Sequence, residues 1–289
     1  MDLDRRQFAI GLVATAAAGV AGAAAVATGV VDLPGPIRNL GADTGPAGTI
    51  PDAPEGEISL TSRHSTARGT DVGFFTAVPA GSGDGKGLPV CLILHGASAT
   101  TANYRDFGLP RFLSAAVESG VPPFVLAGVD GGVKSWRTEN DDDPDDPQRM
   151  LLEEVPGWLT EAGFDADRLA AWGWSMGGHG SLLLAEAAPG RLKAVAAFSP
   201  AVPDKASGLP DTADGRPRDV WSAVDRLDGQ HVGLWCGTSD ALYDNVRAFA
   251  QKVPKGPAIA EWGKGAHTRR YWDRVTPDAF RFLGRQLDG

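Results

Sequence analysis

The sequence predicts an α/β protein, built on a mostly parallel, doubly wound sheet that is preceded by an antiparallel pair of strands. Three observations predict it. Short apolar runs at 88–96, 122–132, 169–175, 193–200 and 231–240 run out into Gly, Ser or Asp, as strands buried on both faces of a parallel sheet do. Helical stretches alternate with these runs, so neighbouring parallel strands are joined by right-handed crossovers. A chain of 289 residues with 43% hydrophobic and 22% charged positions can fill one large core.

Taken in order, the first segment is an address. Arg5-Arg6 is followed by no charge until Asp32, and the intervening Ala/Gly/Val run ends in Ala25-Val26-Ala27. A charged start, an apolar stretch and a small-residue site make residues 1–27 a signal peptide. The Arg pair makes it a twin-arginine signal, with secretion or attachment to the cell envelope as the destination. If it is retained, the apolar run can tether the chain to a membrane. Residues 28–57 are rich in Gly, Pro and Asp and read as a flexible linker, so the folded domain runs from 58 to 289.

Within that domain, 57–62 and 70–78 mix β-branched and apolar residues with polar ones around a turn at Gly69, which reads as the antiparallel pair. Helices are expected near 111–119, 149–162, 176–188, 241–252 and 276–287, and a last strand at 257–262. The Pro/Gly/Asp-rich stretch 199–230 stands where a lid or an acyl-pocket wall would be inserted.

The balance of 27 Lys+Arg against 36 Asp+Glu leaves −9, which argues against a broad phosphate-tracking face and against nucleic-acid partners. Most of that charge lies in 139–154, where Glu139, Asp141, Asp142, Asp143, Asp145, Asp146, Glu153 and Glu154 face only Arg149. The run lacks the spacing of a calcium loop, so no metal is expected. It reads as a solvated loop whose charge forms an acidic rim that disfavours anionic substrates. The two Cys, Cys91 and Cys236, sit inside separate strand runs and read as buried, unbridged thiols.

In a doubly wound sheet, ligands meet the C-terminal ends of the strands. There, Gly173-Trp174-Ser175-Met176-Gly177 joins a strand run to a helical one. This is a nucleophile elbow, in which a strained turn presents Ser Oγ above the sheet and the helix N-terminus favours negative charge. A hydroxyl needs an adjacent base. With the order Ser, acid, His expected of an α/β-hydrolase fold, His64 and His95 are removed as bases. His179 lies inside the elbow helix and His231 at the remote end of its strand, which leaves His267. Asp240, at the end of 231–240, is placed to orient that imidazole, with Asp244 as the alternative. The oxyanion donors are read as the N–H of Met176 and that of Ala97 or Gly96 after the first buried strand, with His95 shaping that loop. Trp136, Trp174 and Trp262 read either as an aromatic cleft or as core packing, and Trp174, Trp136 and His179 are taken as substrate-binding candidates. No cofactor is implied.

The stretches LILHG, VDGGVKSW, LLEEVPGWLTEAGF, LAAWGWSMGGHGSLLLA, CGTSD and GAHTRRYW, spread over 88–275, resemble the putative esterase family of α/β-hydrolases. That family includes feruloyl esterases, S-formylglutathione hydrolases and mycolyltransferases. The resemblance implies Ser175 as nucleophile, Asp240 as acid, His267 as base, and Met176 with the loop after His95 as oxyanion donors. The twin-arginine signal and the acidic loop resemble exported actinobacterial members. At Gly177-Gly178 the chain departs from the mycolyltransferases, whose elbow is less Gly-rich. The expected function is an exported serine hydrolase, a carboxylesterase acting on a small-molecule or lipid ester. The alternatives are acyl transfer to envelope sugars or lipids and a non-catalytic envelope binding protein on the same fold.

Overall fold

Eight strands form one sheet in the computed structural model, which describes residues 45–289. The segment read as a signal peptide and the first part of that read as a linker, residues 1–44, lie outside the described residues. In chain order the strands are β1 (Ile58–Ser65), β2 (Thr70–Ala77), β3 (Pro89–Leu94), β4 (Val125–Val129), β5 (Asp165–Trp174), β6 (Leu192–Phe198), β7 (Val232–Gly237) and β8 (Ile259–Gly263). Their order across the sheet is β1-β2-β4-β3-β5-β6-β7-β8. β1 pairs antiparallel with β2 and β2 with β4, while β4, β3 and β5 to β8 are parallel. This is the α/β-hydrolase-type sheet that the sequence predicts.

Every side chain of β3, β4 and β7 is buried, which is why these strands read as continuous apolar runs rather than alternating ones. Alternate residues serve opposite faces. Val90, Leu92 and Leu94 enter one core cluster and Cys91 and Ile93 the other, as the period of two requires. On the first face lie α3 (Val155–Glu161), which follows α2 (Pro147–Arg149) and a π-helical turn at Met150–Glu154, together with α4 (Met176–Ala187) and α5 (Tyr243–Ala250). On the second lie α1 (Leu109–Glu118) and α6 (Arg269–Asp288). Among the described residues no helix is long and apolar enough to cross a membrane.

Three of the boundaries that differ from the sequence reading have a physical reason. β1 continues through Arg63, His64 and Ser65, paired with Val72, Asp71 and Thr70, because at the sheet edge Arg63 and His64 reach solvent while the buried Ser65 donates to Glu154. The last helix begins at Arg269, not near 276. Pro277 lies inside it. It forfeits one backbone bond, but Trp272, Val275, Ala279, Phe280 and Leu283 are buried on either side of it and hold the helix to the sheet. Finally, residues 45–57, read as flexible linker, carry no helix or strand but lie along the domain. Gly48 N–H donates to Arg270 O at 2.9 Å, Arg270 Nη2 to Gly45 O at 2.9 Å, Arg111 Nε to Ala53 O at 3.2 Å, and Val78 N–H to Glu57 O at 2.8 Å. Backbone groups satisfied by main-chain and side-chain partners of the folded domain need no secondary structure of their own.

Candidate active site

The chain leaves β3 toward β4 on one side, and β5 takes the other, so the sheet has its switch point between β3 and β5. Leu94 pairs with Gly173 there, which brings the loop after β3 beside the residue after β5. Ser175 is that residue. Its backbone sits at φ 54° and ψ −121°, a region that a side-chain-bearing residue occupies only under constraint. The constraint is local: Ser175 N–H donates to Phe198 O at 2.9 Å, and Ser175 O accepts from Ala201 N–H at 2.9 Å and His179 N–H at 3.1 Å. The turn also demands glycine. A Cβ on Gly177 would lie 1.8 Å from Leu94 O, and one on Gly173 would lie 2.3 Å from Gly177 O.

Three of the predicted site residues converge. His267, in the turn between β8 and α6, has Nε2 at 2.9 Å from Ser175 Oγ. Its Nδ1 lies 2.9 Å from Asp240 Oδ2 and 3.1 Å from Oδ1. Asp240 is fully buried at the side chain, while that of His267 is 20% exposed. Burial by itself disfavours the ionised Asp240 carboxyl. The His267 charge and hydrogen bonds from His267, Ser199 and Leu242 N–H outweigh it and hold Asp240 below the usual carboxylate range. Burial likewise pushes His267 down, and the Asp240 charge and hydrogen bond reverse this and raise it above 6.5. The turn bearing His267 is tied to the loop after β7, since Thr238 N–H donates to Gly263 O and Ser239 N–H to Gly265 O, both at 2.8 Å. Met176 is the first residue of α4, so its N–H has no intrahelical acceptor.

These features form a hydroxyl, a base and a buried anion in series at the C-terminal edge of the sheet, beside an oriented helix N-terminus. The "Putative esterase" family model matches residues 65–275. The chain belongs to this esterase family. As a member it is an enzyme of the ester-cleaving, serine-hydrolase kind. Among solved structures the esterase is similar to a ferulic acid esterase (TM-score 0.68, 19% identity, 80% of this chain and 98% of that one). It is also similar to an S-formylglutathione hydrolase from Agrobacterium tumefaciens (0.64, 20%, 80% and 95%) and to MPT51 (FbpC1) of Mycobacterium tuberculosis (0.63, 17%, 80% and 99%). At these identities the likeness is one of fold. A search of curated protein sequences gives no match.

Other sequence expectations need correction. Trp136, Trp174 and His179, taken as substrate-binding candidates, are 1%, 5% and 2% exposed and offer the esterase no open surface. Trp136 lies against Gly131 and Gly180 and donates Nε1–H to His95 O at 3.0 Å. Trp174 packs among Tyr104, Phe107, Trp172 and Trp272. Burial, with the nearby Arg137 charge, lowers His179 to about 3, so it stays neutral. Trp262 is half-buried against Tyr243. His95 does shape its loop: Nδ1 donates to Gly96 O at 2.9 Å, and Nε2 accepts Gly131 N–H at 2.9 Å. Cys91 and Cys236 are free and buried.

The acidic loop is solvated only in part: Glu139, Asp141, Asp142 and Glu153 are exposed, but most of its carboxylates have partners. Asp141 pairs with Arg218 (2.6 Å), Asp143 with Lys134 (2.9 Å), Asp145 with Arg68 (2.6 Å), Asp146 with Arg216 (2.7 Å) and Glu153 with Arg149 (2.8 Å). Glu154 accepts from Ser65 Oγ at 2.6 Å and Ala67 N–H at 2.9 Å. Cations from outside the run, Arg68, Lys134, Arg216 and Arg218, pair with four of its eight carboxylates and weaken the field it sets.

Proposed function

We propose that this esterase is a carboxylesterase working through Ser175, His267 and Asp240. The carrying observation is the unbroken chain Ser175 Oγ, His267, Asp240 at 2.9 Å spacings. Neutral His267 takes the Ser175 proton on Nε2 as Oγ attacks the ester carbonyl carbon. The carbonyl oxygen becomes an oxyanion, received by the N–H of Met176 and that of Ala97 or Gly96. Collapse of the tetrahedral intermediate expels the alkoxide, which takes the proton from His267 and leaves an acyl-Ser175 ester. Water, deprotonated by His267, then releases the acid and restores Ser175. Asp240 stays ionised throughout, fixing the Nδ1–H tautomer and stabilising the imidazolium.

Export by the twin-arginine pathway belongs to the same reading and rests on Arg5-Arg6 and the uncharged run after it. Purified enzyme should hydrolyse p-nitrophenyl esters, and Ser175→Ala and His267→Ala should each lose activity by roughly 10⁴-fold or more. Undiminished turnover by either variant would refute the assignment.

A further inference from the structure

Ser199 and Trp272 have no part in the proton relay, yet between them they touch both groups that support Ser175. Ser199 follows β6, is fully buried and sits at φ 42°. Its N–H donates to Trp235 O at 2.7 Å. Its Oγ accepts the Trp272 Nε1–H at 3.1 Å, and its hydroxyl lies beside the Asp240 carboxylate and favours the ionised form. A hydroxyl has one proton, an indole N–H only donates and a carboxylate only accepts. With the indole donating to it, the Ser199 hydroxyl has its own proton free to give to Asp240. The Cys236 thiol lies beside both groups, but burial keeps it protonated and sulfur is a weak acceptor, so it does not divert that proton. Trp272 also meets His267 edge-on, with ring centroids 5.0 Å apart and planes at 83°. One side chain of α6 thus orders the imidazole through its ring and, through Ser199, the carboxylate.

We propose that Ser199 and Trp272 are positioning residues of the catalytic acid and base. The chain Trp272 Nε1–H to Ser199 Oγ–H to Asp240 holds the carboxylate facing His267 Nδ1, and the indole edge holds the imidazole facing Ser175. The left-handed backbone at Ser199 is maintained because the hydroxyl must reach that point. This inference rests on the proposed roles of Ser175, His267 and Asp240. The titratable groups in this cluster are Asp240 from the loop after β7, Cys236 from β7 and His267 from the turn before α6.

The test is the pH profile of ester hydrolysis by Ser199→Gly, Ser199→Ala and Trp272→Phe. Glycine tolerates the backbone conformation, so Ser199→Gly removes the hydroxyl without strain, and Trp272→Phe keeps an aromatic ring but not the N–H. In the Ser199 variants kcat should fall on the order of tenfold to a hundredfold, the scale on which slight misplacement acts, with KM little changed. The acid limb of kcat/KM should move up by about half a pH unit, because a carboxylate with one donor fewer attracts the His267 proton more strongly. Trp272→Phe should shift both quantities in the same direction. Wild-type kcat and acid limb in Ser199→Gly would overturn the inference, as would a lower melting temperature with an unmoved limb. Ser175→Ala and His267→Ala, measured alongside, separate the two claims: full activity in these refutes the catalytic assignment itself. Their loss of activity beside a wild-type-like Ser199→Gly refutes only the positioning role.

Discussion

At the scale of single residues, the site depends on two opposed effects at His267. Burial disfavours its charge and Asp240 favours it, and the second prevails, so His267 titrates above 6.5. A general base must be neutral, so kcat/KM should rise with pH through a midpoint above 6.5. In Asp240→Asn only burial remains, and that midpoint should move below 6.5 while kcat drops on the order of 10³–10⁴-fold. A pH-rate profile of the two proteins checks both signs, and an unmoved limb would break the assignment of Asp240. The stability contribution follows the same direction. The raised pKa makes it fully present below 6.5 and lost as pH rises through the folded value. These residues were legible because each stands directly after a strand run, where a doubly wound sheet places its chemistry. Ser199 stands after a strand too, but one hydroxyl in a loop gives no sign of its partners until Trp272, 73 positions on, is folded against it. Trp136, Trp174 and His179 were not separable in the sequence from cleft-lining residues, because a ring near a strand end reads the same whether it is packed or open; all three are buried.

Among the elements, the segment 45–57 changes most between sequence and structure. Composition shows that it forms no helix or strand, but not that α6 and α1 supply partners for its backbone. Its contacts fall near the catalytic turn. Arg274 donates to Pro46 O in the segment and also to Lys264 O, three residues before His267. A form lacking residues up to 57 should therefore melt several degrees lower and turn over more slowly than one lacking residues up to 44. Equal melting temperatures and rates would show that the segment is dispensable. The buried strands and their crossovers were readable from periodicity because burial on both faces leaves an unmistakable apolar run; their order across the sheet was not. The start of α6 was not, because Pro277 interrupts the helical pattern and only tertiary packing holds the helix across it.

For the whole molecule, the net charge of −9 suggested an acidic surface near the site. A sequence window shows the carboxylates of 139–154 without the cations they meet, since Arg68, Lys134, Arg216 and Arg218 come from before and after it. The loop is a clamp between the β1-β2 turn and the 199–230 excursion. Asp146 and Arg216 keep only 12% and 11% of their side chains exposed, so Asp146→Asn leaves a mostly buried guanidinium short of charge. It should lower unfolding stability on the order of 3 kcal/mol, read by urea denaturation, with the activity ratio between neutral and anionic esters unchanged. A large gain on anionic esters with unaltered stability would restore the acidic-rim reading.

The central claim is that Ser175 is an activated nucleophile on an esterase fold. Peptide mass mapping after treatment with a fluorophosphonate tests it most directly. The account expects one adduct, on Ser175, formed faster as His267 loses its proton and abolished in His267→Ala. An adduct on another residue, or ester hydrolysis that persists with Ser175 unlabelled, would contradict it.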